Sequence, residues 1–167
     1  VNLAAAHAPP AAQDRLAVYA LRASVPARGG AFHLSPLERV HLVKQGMPAR
    51  TVQDMSAAMG LSREQFMRVT GLARSTVERK IAARRALSSD ESEKLVGLSR
   101  LIGQVDAMVR ESGDPAPDFD AARWFAGWMA EPVAALGGLR PQELLDTADG
   151  REALGTLLLQ MKSGVYA

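Results

Sequence analysis

Between Ser62 and Arg85 seven Lys and Arg residues stand against two acidic ones. Cationic side chains at that density neutralise phosphates and release the counterions of a nucleic-acid backbone, so binding through them weakens steeply with salt. Within RSTVERK, the residues Arg74, Ser75, Thr76 and Arg79 are placed to reach bases. An arginine can bridge guanine O6 and N7 there, and a hydroxyl adapts to either kind of partner. Lys80, Arg84 and Arg85 suit backbone contacts, which position a protein without specifying a sequence. The plainer alternative is a solvated basic face. Catalytic chemistry finds no comparable set of residues. The chain has no cysteine, its histidines His7, His33 and His41 lack HExxH spacing, and neither GxSxG nor GxxxxGK[ST] occurs. Asp118, Asp120, Asp146 and Asp149 sit where helix caps explain them. No enzyme activity, cofactor or metal is expected.

The elements that hold the basic residues are helices. LSREQFMRVTG opens with Ser62 and Gln65 as a capping box, buries Phe66, Met67 and Val69, and stops at Gly71. RSTVERKIAARRA then continues as one helix, with Val77 and Ile81 inward and its basic residues on other faces. Two short helices across a glycine turn, the second basic, describe a helix-turn-helix. Ala73 is a poor N-cap, which means either that Leu72 and Ala73 pack closely in the turn or that the helix starts a residue away. Ser35 with Pro36 and Glu38 starts an earlier helix reaching Gln45, and MPARTVQDMSAAMG supplies one that closes at Gly60. Ser88 with Glu91 caps a long helix through Leu95, Leu98, Leu101, Ile102 and Val105. No stretch alternates as a strand does, so the fold expected is all-α.

The chain has 167 residues and 17.8 kDa, enough for two small units leaning on each other or on a second copy. Aromatics are only 5%, so the core must be built from Leu, Val, Ala and Met. Residues 1–85 carry 13 Lys and Arg against 5 acidic residues, about +8, while 86–167 carry 7 against 13, about −6. Two surfaces with different partners are implied. The boundaries expected are an N-terminal extension over 1–34 with a helix at 11–24, a helix-turn-helix and dimerisation region over 35–110, a linker over 111–118 and a C-terminal domain over 119–167. No apolar run approaches the roughly 18–20 residues of a membrane span. VNLAAAHAPPAAQD lacks the basic start and apolar centre of a signal peptide, and the cytoplasm is the expected compartment.

In the C-terminal region a helix from about Phe119 to Ala130 places Trp124 and Trp128 on one face beside Phe125 and Met129. Such a stripe is usually core, and Trp124 is expected there. A turn of helix at Pro132 follows, then helices starting at Pro141 and after Asp149, the last capped by Asp149 with Glu152. Fewer than fifty residues cannot cover two tryptophans and so many leucines, so a second chain should cover some of them. Whether the dimer forms on the Leu95 to Val105 helix or on the Trp124 helix stays open. The chain ends in GVYA, where Gly164 can release the terminus and Tyr166 offers an apolar ring with one hydroxyl.

From Ser35 to Ala167 the sequence resembles the MbcA/ParS/Xre antitoxins of bacterial type II toxin-antitoxin systems. LARSTVERK and LSSDESEKLVGLSRL resemble the Xre-like helix-turn-helix. The more specific match is the toxin-binding module, in which Trp124, Pro132, Leu136, Gly137, Pro141, Leu144, Leu145, Thr147, Gly150 and Tyr166 fall on the pattern. The resemblance implies a homodimer that neutralises a RES-domain toxin, an enzyme that degrades NAD or uses it for ADP-ribosylation, and joins it in a higher-order complex. It also implies repression of the chain's own operon through an operator expected to be an inverted repeat. The toxin-binding residues it implies are Trp128, Lys162, Gly164, Val165, Tyr166 and Ala167, the last four obstructing the NAD site. Tyr166 folding back on Trp128 is the competing arrangement. The competing function is a stand-alone dimeric repressor, which has no use for an apolar, glycine-hinged terminus.

Overall fold

The computed structural model describes residues 30–113 and 118–164. The helix expected at 11–24, residues 114–117 of the expected linker, and Val165, Tyr166 and Ala167 lie outside them. The described residues form seven α-helices, α1 (Pro36–Gln45), α2 (Thr51–Met59), α3 (Arg63–Val69), α4 (Arg74–Ala82), α5 (Ser89–Glu111), α6 (Ala121–Trp128) and α7 (Ala148–Lys162). Three short 3-10 turns, Gly30–His33, Ala134–Leu136 and Pro141–Leu144, complete them. The described residues are mostly helical and contain no β-strand; the sole extended pairing among them is the bridge between Pro48 and Ala86. No described helix is long and apolar enough to cross a membrane.

The helix starts follow the local chemistry of the sequence. Ser35, Ser62 and Ser88 each accept the backbone N–H three residues on, and the side chains of Glu38, Gln65 and Glu91 accept the N–H of their serine in return. Each capping box satisfies two donors that a helix start otherwise leaves free. Gly60 and Gly71 take the left-handed backbone at the stops of α2 and α3, where glycine carries no Cβ penalty.

Helix α5, about 35 Å long at 1.5 Å per residue, is the axle. The first 3-10 turn, α1, α6 and α7 all pack on it, while α2 bridges α3 and α6. Its apolar stripe of Leu95, Leu98, Leu101, Ile102 and Val105 is buried. Three buried polar residues on the same helix each tether a different segment: Ser92 accepts the Met47 N–H at 2.9 Å, Ser99 accepts the Ala31 N–H at 2.9 Å, and Gln104 donates to the Gly155 carbonyl at 2.8 Å. Every one of those bonds satisfies a group that burial would otherwise strand at a cost of about 1–3 kcal/mol. Phe66 and Phe125 are fully buried among Leu, Val, Ala and Met, each contributing roughly 1.5–3 kcal/mol.

The buried apolar residues, Leu157 aside, form one cluster running from Ala31 to Leu158. Leu154 and Leu158 of α7 join it because α5 of the same chain lies against them. That removes much of the need for a second chain to cover the C-terminal leucines. Trp124, Leu139, Leu159 and Met161 remain exposed.

Candidate functional site

The basic face is built on α3, the turn after it and α4. Phe66, Met67, Leu72 and Val77 are buried beneath the pair, and the Thr70 hydroxyl donates to the Phe66 carbonyl at 2.8 Å, closing the turn. Helix α4 begins where the sequence places it. Ala73 is its N-cap with extended backbone and no side-chain hydrogen bond, and Leu72, 6% exposed, anchors the turn in the core instead. The missing cap costs on the order of 1 kcal/mol, which apolar burial of Leu72 offsets.

Of the expected DNA contacts, Arg74, Ser75 and Arg79 are exposed and Thr76 is half-buried. Arg74 pairs with Glu64 at 3.1 Å, but both side chains are open to water, so the pair yields readily to a phosphate or a base. Arg79, Arg84 and Arg85 form no ion pair among the described residues. Lys80 is different. Its ammonium bonds the Glu91 carboxylate across to α5, and its side chain is only 21% exposed.

Arg84 and Arg85 are not on the recognition helix as the sequence suggested. Helix α4 ends at Ala82, the Arg84 N–H donates to the Ile81 carbonyl at 3.1 Å, and the Arg85 N–H donates to the Lys80 carbonyl at 2.9 Å. These are the two bonds of a Schellman stop, in which the position of Arg84 is normally glycine. Arg84 has φ +50°, the one left-handed non-glycine among the described residues. A side chain there costs roughly 1–2 kcal/mol. Hydrophobic periodicity carried the helix through ARRA because no glycine marked the stop.

Glu91 joins the basic face to α5. Burial pushes its carboxyl pKa up, but hydrogen bonds from Lys80 and the Ser88 N–H, with the Lys80 charge, hold it below its ordinary value of 4.5. A depressed folded-state pKa contributes stability that is present above pH 4.5 and is lost as pH falls through the lowered value. Urea unfolding between pH 7 and pH 3 should therefore show a loss of stability on the acid side to which this group contributes. The variant Glu91→Gln should lack that part of the loss and begin less stable at pH 7.

On the C-terminal side Asp120 caps α6 by accepting the N–H groups of Ala122 and Arg123 at 3.0 and 3.1 Å. Ala121, Ala122, Phe125 and Met129 face the core. Trp124 does not, contrary to the sequence expectation. It is 39% exposed and stacks on Trp128 with ring centroids 6.0 Å apart and planes 10° from parallel. The inward role belongs to Phe125, one residue on, against which Trp128 tilts at 5.5 Å. Period alone left the neighbouring aromatic positions competing for the core, and the smaller ring, one turn on from buried Ala121 and Ala122, takes it. The result is a partly exposed tryptophan pair.

The next segment is more tightly wound than expected, since Ala134–Leu136 and Pro141–Leu144 are 3-10 turns. The Gln142 N–H donates to the Met129 carbonyl at 3.0 Å and fastens this loop under α6. Helix α7 starts at Ala148, not after Asp149. Thr147 is its cap and accepts the Gly150 N–H at 3.0 Å, while Asp149 sits in the first turn and complements the helix dipole.

Arg151, only 4% exposed, is a residue that sequence reasoning missed. It bonds the Leu145 carbonyl at 2.7 Å and pairs with Glu93 of α5. The available signal was Gly97, a glycine inside a strong helix. A Cβ there would lie 2.5 Å from the Arg151 Nε, so the glycine is the groove through which the arginine passes. At the far end of α7 Lys162 pairs with Glu111, and Gly164 follows with φ +72° and nothing within 4 Å of where a Cβ would stand. Trp128 and the root of the tail are thus carried by separate helices, both seated on α5.

These two faces agree with the comparisons. Residues 38–100 match the antitoxin Xre-like helix-turn-helix domain, and residues 118–164 match the antitoxin Xre/MbcA/ParS C-terminal toxin-binding domain. The chain is 35% identical over 136 residues to the Prs ADP-ribosylating antitoxin of Sphingobium sp. (strain YBL2), spanning 81% of this chain and 85% of that protein. It is 20% identical over 126 residues to antitoxin Xre of Photorhabdus laumondii, spanning 75% and 79%. With a DNA-binding domain matched at α1 to α5 and a toxin-binding domain at α6 and α7, the chain belongs to the Xre/MbcA/ParS family of antitoxins, which act by binding a toxin rather than by catalysis.

Proposed function

We propose that this antitoxin, the type II kind, neutralises a RES-domain toxin by seating its last residues, Gly164 to Ala167, in the toxin's NAD site. The observation that carries the proposal is the release of the chain at Gly164, where a left-handed glycine with open space around it ends α7. Trp128, stacked under Trp124, and exposed Leu159 and Met161 supply apolar area on which the toxin can rest, and Lys162 adds a charge at the rim. Tyrosine and tryptophan anchors of this kind concentrate binding energy in a small patch. The name of the Sphingobium relative supports a toxin that transfers ADP-ribose over one that only degrades NAD.

On DNA, a cytoplasmic homodimer reads an inverted repeat at its own operon and represses it. Arg74, Ser75, Thr76 and Arg79 contact bases, and Arg84 and Arg85 contact phosphates. Lys80, held by Glu91, fixes the helix rather than reaching DNA itself. The dimer and its toxin assemble into a higher-order complex.

The two activities should separate. Co-purification of the tagged full-length chain should recover one partner in fixed proportion whose NAD consumption is silent. Replacing Arg74 or Arg79 with Ala should weaken operator binding by about 1–3 kcal/mol each while leaving that partner silent. Recovery of promoter DNA alone, with no protein partner, would instead favour a stand-alone repressor.

A further inference from the structure

Arg84 and Arg85 line a cleft of ≈ 500 Å³ with Arg50, Gln53, Asp54 and Ile81. Arg50 immediately precedes α2, and all three arginines are exposed. Asp54 is the acidic residue lining the cleft and pairs with Arg50 at 3.5 Å, leaving two guanidinium groups uncompensated there. The backbone around the cleft is fixed from both sides. The Ala49 N–H donates to the Arg85 carbonyl at 3.1 Å, and the Leu87 N–H donates to the Met47 carbonyl at 2.8 Å. The Schellman bonds hold Arg84 from the helix side.

A stop that any glycine would make without strain is thus made by an arginine, next to a second arginine and across from a third. Strained backbone of this sort persists where a side chain is needed. We propose that Arg50, Arg84 and Arg85 form a preformed clamp for phosphates of the DNA backbone, adding α2 to the DNA-binding surface. Guanidinium forks match phosphate oxygens in pairs, and a cleft already held open loses little freedom on binding. The reach is appropriate. Helix α4 has nine residues and is about 13 Å long, comparable with the ~12 Å width and ~8.5 Å depth of the major groove. With Arg74 and Arg79 at the bases, its far end stands level with the phosphate rim.

This inference rests on the DNA-binding reading, and the experiment distinguishes the two. Binding of the full chain to a duplex spanning its own promoter, and to a scrambled duplex of equal length, is measured by fluorescence anisotropy over a range of salt. Arg84→Gly should melt about 2–4 °C above the parent protein because the strain is gone. It should nevertheless bind both duplexes roughly fivefold to tenfold more weakly, with the slope of log affinity against log salt reduced by about one. Arg50→Ala should show the same loss of slope, and Arg84→Lys should keep the slope. Parent-like affinity and slope for Arg84→Gly and Arg50→Ala would overturn the clamp, and if Arg74→Ala still lost promoter selectivity the DNA-binding reading would stand without it. Failure of the parent protein to bind either duplex would overturn both.

Discussion

A chain that stops at Ser163 is expected to hold its toxin without silencing it. Among the described residues the deletion removes Gly164 and its 3.3 Å N–H bond to the Met161 carbonyl, while Ser163 still closes α7 through its N–H bond to the Leu159 carbonyl. The apolar face with Trp128 remains, so the complex should still form. Losing one buried tyrosine anchor weakens such a complex by about 2 kcal/mol or more, roughly thirtyfold in affinity. At concentrations well above that weaker constant, toxin turnover should recover to nearly the rate of free toxin, whereas the full chain holds it near zero. The tryptophans give an independent check. Trp124 and Trp128 are the chain's only two, so their fluorescence reports on this face alone. If Tyr166 enters the toxin, truncation leaves the emission of the free antitoxin unchanged. If instead Tyr166 folds back on Trp128, truncation shifts that emission even without toxin. Full silencing by the truncated chain, with the complex verified, removes the plug from the mechanism.

Where local chemistry decided an element, the sequence could be read closely. Three capping boxes and the glycine stops at Gly60 and Gly71 are all present, since each depends on residues within one turn. Reading failed where tertiary contacts decide. The choice between Trp124 and Phe125 for the core depends on what α5 and α2 offer opposite them, which helical periodicity does not contain. The end of α4 was hidden because Arg84 occupies a glycine's conformation, held by bonds between segments about forty residues apart in sequence. Buried Arg151 looked like any charged helix residue until Glu93 and the Leu145 carbonyl were seen around it. For the candidate sites, the basic residues of α4 could be named from composition, but Arg50 could not, since it reaches the cleft only through the fold. The acid-base character of the two halves also reads differently in three dimensions. Lys80 with Glu91 ties α4 to α5, and Arg151 with Glu93 ties α7 to α5, both within the first two turns of α5.

Gly150→Ala should be the most damaging small substitution in the C-terminal domain. Resemblance marked Gly150 as part of the toxin-binding pattern, and the structure supplies its physical reason. A Cβ on Gly150 would stand 2.0 Å from the Leu144 carbonyl oxygen and 2.7 Å from the Thr147 Oγ1. The 3-10 turn Pro141–Leu144 therefore crosses the start of α7 at a distance only glycine permits, and the obstructing atom is backbone, which no side-chain rotation moves. Alanine favours a helix over glycine by up to about 1 kcal/mol. Relieving the overlap must displace either the turn or the Thr147 cap, and with the turn goes the Leu145 carbonyl that Arg151 holds. Overpacking of this kind costs roughly 1–3 kcal/mol, and a lost cap adds about 1. A net destabilisation of about 1–3 kcal/mol is expected in urea unfolding. Gly127→Ala provides the contrast, because Gly127 lies inside α6 with open space around its Cβ position, and it should stabilise by about 0.5–1 kcal/mol. Equal responses at the two positions would mean that helix propensity, not the crossing of the turn, governs Gly150. If the crossing governs, Gly150→Ala should also weaken toxin binding, and by more than operator affinity, because the displaced turn lies in the matched toxin-binding domain and meets the turn before α4 only at its edge, where Asp146 packs against Gly71.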